Sequence, residues 1–437
     1  MTTSLRRALS LALALPLLTL SIAVGTSGAA RATPDHFNPH RGATFNNPYG
    51  GRVAAHRIVT KLVRTINSVK KGHKIRIASW NFRSPAIAGA LIRAHHRGVS
   101  VRVLMDYGNA NPDSPNAVAR HTQDELAQGN KHRPHDMTSW LHKCHGSCRG
   151  KHGIAHVKFY TFDKVEDTKD VVMYGSVNAT ELAATIQWND MYTLTKSKSR
   201  YNEFIHVFNQ MRLDHAVKQG YLDYPRKNLD IAFYPYTGEH TKVDPVLKVL
   251  NRVRCSGAAP GTGINGHTKI RIAQTATYGE RGLAIAHRLV QMHERGCNIR
   301  VVYAMFGSRA LHVLRHTSPT PVPLTHLAYD SNCDGIYDKY VHMKSMVISG
   351  VYGKDHAARI VWNGSANWTP VSLASDEVVG VVHRAGAARV YSNWIDYLFT
   401  HVPKAWLPGH CSQPGGPPER TADGKRIDPY ALIRQDL

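Results

Sequence analysis

The chain has 437 residues, more than one hydrophobic core usually holds, so two domains or one duplicated body is expected. Hydrophobic residues at 42% and charged residues at 20%, with ordinary Gly and Pro, exclude global disorder and collagen-like or low-complexity classes. Lys and Arg number 55 against 31 Asp and Glu, a formal charge of +24, and 27 His add to it in mildly acidic medium, so anionic partners are favoured.

Arg6 and Arg7 precede an apolar run from Ala8 to Val24, and small residues follow to Ala30-Arg31-Ala32. This order matches a secretory signal cleaved after Ala32. Ser10 and Pro16 interrupt the run, which is short for a membrane span. Residues 1–32 are therefore expected to be a signal peptide and the product to be secreted. Export predicts oxidised cysteines. The expected pairs are Cys144 with Cys148, Cys255 with Cys297, and Cys333 with Cys411. A zinc reading of His142, Cys144, His145 and Cys148 fits no common finger spacing.

Residues 52–69 then place Ala55, Ile58, Leu62 and Ile66 at helical spacing. Lys74-Ile75-Arg76-Ile77-Ala78 reads as a strand, Ser84 to Arg97 as a helix stopped by Gly98, and Val99 to Leu104 as a second strand. Residues 130–153 carry Lys131, Arg133, Lys143, Arg149 and Lys151, an anion-attracting rim if they stand at a site mouth. A boundary is expected near Tyr224-Pro225-Arg226-Lys227. Beyond it the pattern restarts. Asp244-Pro245 opens a helix. Lys269 to Ala273 repeats Lys74 to Ala78 letter for letter, and a helix (280–295), Gly296 and the run Asn298 to Val302 follow. The reading is an α/β protein of two duplicated α/β/α sandwich halves with mixed sheets, residues 33–225 and 226–410, followed by a tail, 411–437.

The chemistry repeats as well. His156-Val157-Lys158 is followed by Gly175-Ser176-Val177-Asn178, and His342-Met343-Lys344 by Gly364-Ser365-Ala366-Asn367. Strand period two puts each His and Lys on one face, and each Ser and Asn on one face. Two other His-x-Lys triplets, at His240 and His267, have no Gly-Ser-x-Asn after them. A neutral imidazole can attack an anionic phosphodiester, and a protonated one can supply the proton its alkoxide needs. Lys158, Lys344, Asn178 and Asn367 suit the non-bridging oxygens, and Ser176 and Ser365 could add phosphate donors. Asp190 and Glu377, each just before an apolar strand, are the candidate acceptors that orient the imidazoles, with Asp376 as the runner-up for Glu377.

These residues resemble the phospholipase D superfamily, marked by a duplicated His-x-Lys-x4-Asp motif followed by Gly-Ser-x-Asn. The resemblance covers roughly residues 47–400. It implies a pseudo-twofold body with one active site at the interface of the halves, His156 as nucleophile forming a phosphohistidine, and His342 as general acid. No metal or other cofactor is required. The sequence departs from the family where Ser349 replaces the second motif's Asp, and the longer spacings after Asp163 and Ser349 suggest longer hairpin loops near 164–169 and 350–357. Asp330-x-Asn332-x-Asp334-Gly335 begins like a calcium loop, but Val341 stands where its bidentate acid belongs. Trp80, Trp140, Trp188 and Trp368, near motif ends, are read as mainly core. The expected function is a secreted monomeric phospholipase D-type phosphodiesterase, hydrolysing the head groups of anionic or zwitterionic phospholipids at a membrane surface to leave phosphatidic acid. An extracellular nuclease acting on nucleic acid, and an inactive anionic-polymer-binding protein, are the rival readings.

Overall fold

A computed structural model describes residues 36–237, 243–403 and 425. The expected signal peptide, Cys411 and most of the tail lie outside the described residues. Among the described residues no helix is long and apolar enough to cross a membrane.

The first helix breaks at His56, giving Gly51–Ala55 and Arg57–Asn67. Helix Pro85–His96 starts where the Ser84 hydroxyl accepts from the Ile87 amide, and it stops before Gly98 at φ +90°. In the second half the Asp244 carboxylate caps helix Pro245–Asn251 by accepting from the Val246 and Leu247 amides. Helix Gly279–Glu294 ends before Gly296 at φ +86°.

The strands gather into two large sheets built on one plan. The first sheet has the order Gly42–Phe45, Asp190–Leu194, Thr168–Gly175, Lys158–Val165, Lys74–Ser79, Ser100–Asp106, Trp140–Cys144. The second runs Leu222–Tyr224, Leu229–Phe233, Val378–Val382, Asp355–Gly364, Lys344–Tyr352, Lys269–Thr277, Asn298–Phe306, Leu324–His326. Five central strands of each match in order and direction. The repeated Lys-Ile-Arg-Ile-Ala strand is parallel to the strand after its helix and antiparallel to the strand carrying the motif lysine. Strand Leu222–Tyr224, before the expected boundary, pairs with Leu229–Phe233 in the second sheet.

The expected longer hairpin loops are absent. Val165 pairs with Thr168, and Tyr352 with Asp355, so each turn has two residues. Glu166 at φ +46° and Gly353 at φ +63° make these tight turns. The extra residues lengthen the strands instead.

Helices Arg57–Asn67 and Pro85–His96 cover one face of the first sheet through Ile58, Leu62, Ile87 and Leu91. The other face joins a core shared by both halves. There Phe159, Tyr174, Phe204 and Phe208 meet Phe233, Val361 and Tyr391. The Phe204 and Phe233 rings lie edge to face at 4.9 Å. Two disulfides match expectation, Cys144–Cys148 and Cys255–Cys297, and the first removes both thiols from the zinc reading.

Candidate active site

His156 sits just before strand Lys158–Val165, and His342 just before strand Lys344–Tyr352. Both imidazoles are buried, at 2% and 3% exposure, as are Lys158 and Lys344. Each histidine reaches into the opposite half. His156 Nδ1–H donates to Glu377 Oε1 at 2.8 Å. His342 Nδ1–H donates to Asn189 Oδ1 at 2.8 Å. These bonds fix Nδ1 of each ring on a group from the other half. The charge of Lys158 acts on both histidines, and His156 acts on His342, so the two motifs form one centre.

The acceptor at His342 is a correction to the sequence reading. Asp190, the candidate catalytic acid of the first half, does not touch His342. Its Oδ2 accepts from Tyr391 Oη at 2.8 Å and from Asn363 Nδ2 at 3.2 Å. A strand turns successive side chains to opposite faces, so the residue one place earlier points at the site instead. The register makes the equivalence plain. Gly175 pairs with Met191 and Gly364 with Val379, so Asn189 occupies the place of Glu377. Asn189 Nδ2 donates to Ala183 O at 3.0 Å, which fixes its carbonyl toward His342.

Ser176 and Ser365 are a second correction. Their hydroxyls do not serve as phosphate donors. Ser176 Oγ donates to Asn189 Oδ1, and Ser365 Oγ to Glu377 Oε2, each at the group that orients a histidine. Each hydroxyl also accepts a backbone amide, from Asp190 and from Val378. Their donor capacity is spent. The glycine before each serine permits this closeness: a Cβ on Gly175 would lie 2.4 Å from Asp190 O, and one on Gly364 2.1 Å from Val378 O. Asn178 and Asn367 are buried at 3% and 0% exposure after the same strands, and the Asn178 carbonyl oxygen is buried without a partner.

Lys344 Nζ donates to His342 O at 2.7 Å and to Thr275 Oγ1 at 3.0 Å. Lys158 Nζ donates to His156 O, and Trp80 stands where Thr275 stands in the other half, its ring 5.6 Å from Lys158 Nζ and 5.4 Å from the His156 ring. Trp80 is half-buried, whereas Trp188 and Trp368 are core residues as expected.

Burial sets the electrostatics. It pushes Lys158 down to about 7 and Lys344 well below the usual lysine range, and lowers both histidines. It lifts Glu377 to about 7, opposed by Lys158. An anionic phosphodiester would favour the cationic lysines and a cationic His342.

The loop into His156 is held by two acids, of which Asp106 was not among the sequence candidates. Asp106, at the end of strand Ser100–Asp106, accepts from the Ala155 amide at 2.9 Å. An acid at the end of a central strand was the available signal. Asp376 does not orient a histidine. It accepts from Ser147 Oγ at 2.9 Å and the Cys148 amide at 2.6 Å, tying the disulfide loop to the second half. The rim residue Arg149 is not solvated. It is 1% exposed, and its guanidinium donates to Tyr234 O, Gly220 O and Gln210 Oε1. Asp163 accepts from the Lys74 amide and His73 Nδ1, a structural role. In the calcium-like loop Asp330 accepts from the Cys333 and Gly335 amides.

A family model described as cardiolipin synthase, phospholipase D-like domain, matches residues 62–212 and 264–399. No curated protein matches. Among solved structures, a polyphosphate kinase from Porphyromonas gingivalis is similar with a TM-score of 0.52 at 11% identity, over 89% of this chain and 53% of that one. The chain thus spans about half the length of that kinase. Phosphatidylserine synthase from Haemophilus influenzae gives a TM-score of 0.47 at 14% identity, over 79% of this chain and 84% of that one. Nuc from Salmonella typhimurium, a phospholipase D family member, gives 0.29 at 20% identity, over 41% of this chain and all of that one.

Proposed function

Because the chain belongs to the phospholipase D-like family whose model carries the cardiolipin synthase description, we propose that it is a phosphodiesterase that cleaves phospholipid head groups through a phosphohistidine and acts outside the cell. The observation that carries this reading is the unequal pair of buried histidines, one on a carboxylate and one on a carboxamide, each supplied by the opposite half.

The chemistry follows from that inequality. Glu377 holds the Nδ1 proton of His156 and favours positive charge on that ring, which suits the ring that becomes bonded to phosphorus. His156 Nε2 attacks phosphorus, and the bond from phosphorus to the departing alcohol oxygen breaks. The proton on His342 Nε2 passes to that oxygen. His342, now neutral, takes a proton from water, and the hydroxide breaks the phosphorus–nitrogen bond. A phosphomonoester leaves, and both rings return to their starting states. An alcohol in place of water would give a transferred diester by the same step. Lys158 and Lys344 offset the charge of the non-bridging oxygens, with Asn178 and Asn367 beside them. The lipid assignment draws on the cardiolipin synthase description, and extracellular action on the two disulfides and the leader-like run at the start of the sequence. The net charge of +24 favours nuclease action as the second reading.

The test is to incubate the purified protein with phosphatidylcholine vesicles and, separately, with plasmid DNA. Choline release without nicking is the expected result, and nicking without choline release would replace lipid by nucleic acid. Labelled substrate quenched in mid-turnover should leave phosphate on His156 and none in His156→Ala. Label on His342 instead would reverse the two roles.

A further inference from the structure

A cavity lies beside the position where the second motif has Ser349 in place of an acid. In the first half, position 163 is Asp, and its carboxylate is filled by the Lys74 amide and His73. In the second half Ser349 stands there, paired in register with Lys269 on one side and Arg359 on the other. A cavity of about 620 Å³ lies against these residues and the first two turns of helix Ala385–Thr400. Ser349 is five residues along its strand from Lys344, roughly 16 Å away, so the cavity is separate from the catalytic centre.

Its lining is positive. Lys269, Arg359 and Arg389 border it. Arg359 donates only to the carbonyls of Ala357 and Gly261, and neither Arg359 nor Arg389 has a carboxylate partner among the described residues. The neighbouring acid, Asp396, is already shared by Arg271 at 2.5 Å, Arg300 at 2.9 Å and Lys269 at 3.9 Å. The helix turns Ala385, Ala388, Arg389 and Ser392 toward the cavity, a spacing that shares one face. Its first turn has no acid and its N-cap no side-chain bond, so the amide ends add positive potential. Ser392 stands in the wall at 3% exposure, its hydroxyl oxygen enclosed rather than open to the cavity.

We propose that this cavity binds a phosphate-type oxyanion, the group shared by free inorganic phosphate and the head of a phosphomonoester lipid. Lys269, Arg359 and Arg389 supply the charge, Ser349 a neutral donor, and the helix start its amides.

Calorimetric titration with inorganic phosphate tests it, using the full chain with Lys344→Ala so that turnover and the catalytic phosphate site are both weakened. Saturable binding is expected to survive Lys344→Ala and to weaken at least about tenfold when Ser349→Asp restores the acid. Arg389→Glu, on an exposed side chain, should act in the same direction. Loss of all binding with Lys344→Ala, or affinity indifferent to both Ser349→Asp and Arg389→Glu, overturns the site. Phosphatidylcholine vesicles with and without phosphatidic acid separate the sources. A gain from phosphatidic acid that Arg389→Glu removes supports a lipid head, and phosphate binding without that gain supports the free ion.

Discussion

Asn189 is the residue on which the two halves differ most in consequence. A carboxamide accepts the His342 proton as well as a carboxylate does, but it lends no charge to the imidazolium. Replacing Asn189 by Glu should favour protonated His342. The alkaline limb of the kcat profile, where the general acid is lost, should then move up by about one pH unit. Asn189→Ala should lower kcat on the order of 10²–10⁴-fold, as expected when a catalytic ring loses its anchor. Asp190→Asn should leave the position of both limbs alone, because its carboxylate faces Tyr391 and Asn363. An unmoved profile in Asn189→Glu would break the assignment. The histidines, lysines and motif amides were legible because the motif appears twice. Asn189 was not, because a search for an acid stops at Asp190, and only the pairing register shows which of two adjacent residues faces inward.

The segment from Cys144 to His156 is where packing overrules composition. It overlaps residues 130–153, whose cations read as an anion-attracting rim if they stand at a site mouth. Instead Arg149 is a buried brace, and the disulfide turn is fastened by Asp376. Burial lifts Asp376 to about 7, so in the folded state it binds a proton across a range where the unfolded chain, near 3.8, does not. A folded pKa that is raised makes the group's contribution greatest at low pH, and it is lost as pH rises through about 7. Wild type should therefore gain stability relative to Asp376→Asn as pH falls from neutrality toward 4, read as the difference in urea midpoint. A constant difference across that range would show that Asp376 does not titrate there. The strand-helix-strand units were readable from period and caps, since Ser84, Gly98, Asp244 and Gly296 do what their chemistry suggests. The hairpin lengths were not, because spacing alone does not say whether extra residues join the ladder or leave it.

Across the whole molecule, one core joins the halves. Phe159 and Phe204 pack on Phe233, and each motif histidine leans on the other half. A shared core of this kind should unfold as a unit. Calorimetry should give one heat-capacity peak with matching calorimetric and van 't Hoff enthalpies, and two resolved peaks would mean independent lobes. The seam also carries the mark of its own asymmetry. Tyr174 fills a space that exists because residue 380 is Gly, where a Cβ would stand 2.0 Å from the Tyr174 oxygen. By register the counterpart of Gly380 in the first half is Tyr192, and the counterpart of Tyr174 in the second is Asn363. A homodimer of the first half would drive tyrosine into tyrosine, and one of the second would face asparagine with a hole. At this point the seam is shaped for one half against the other and not for either half against a copy of itself.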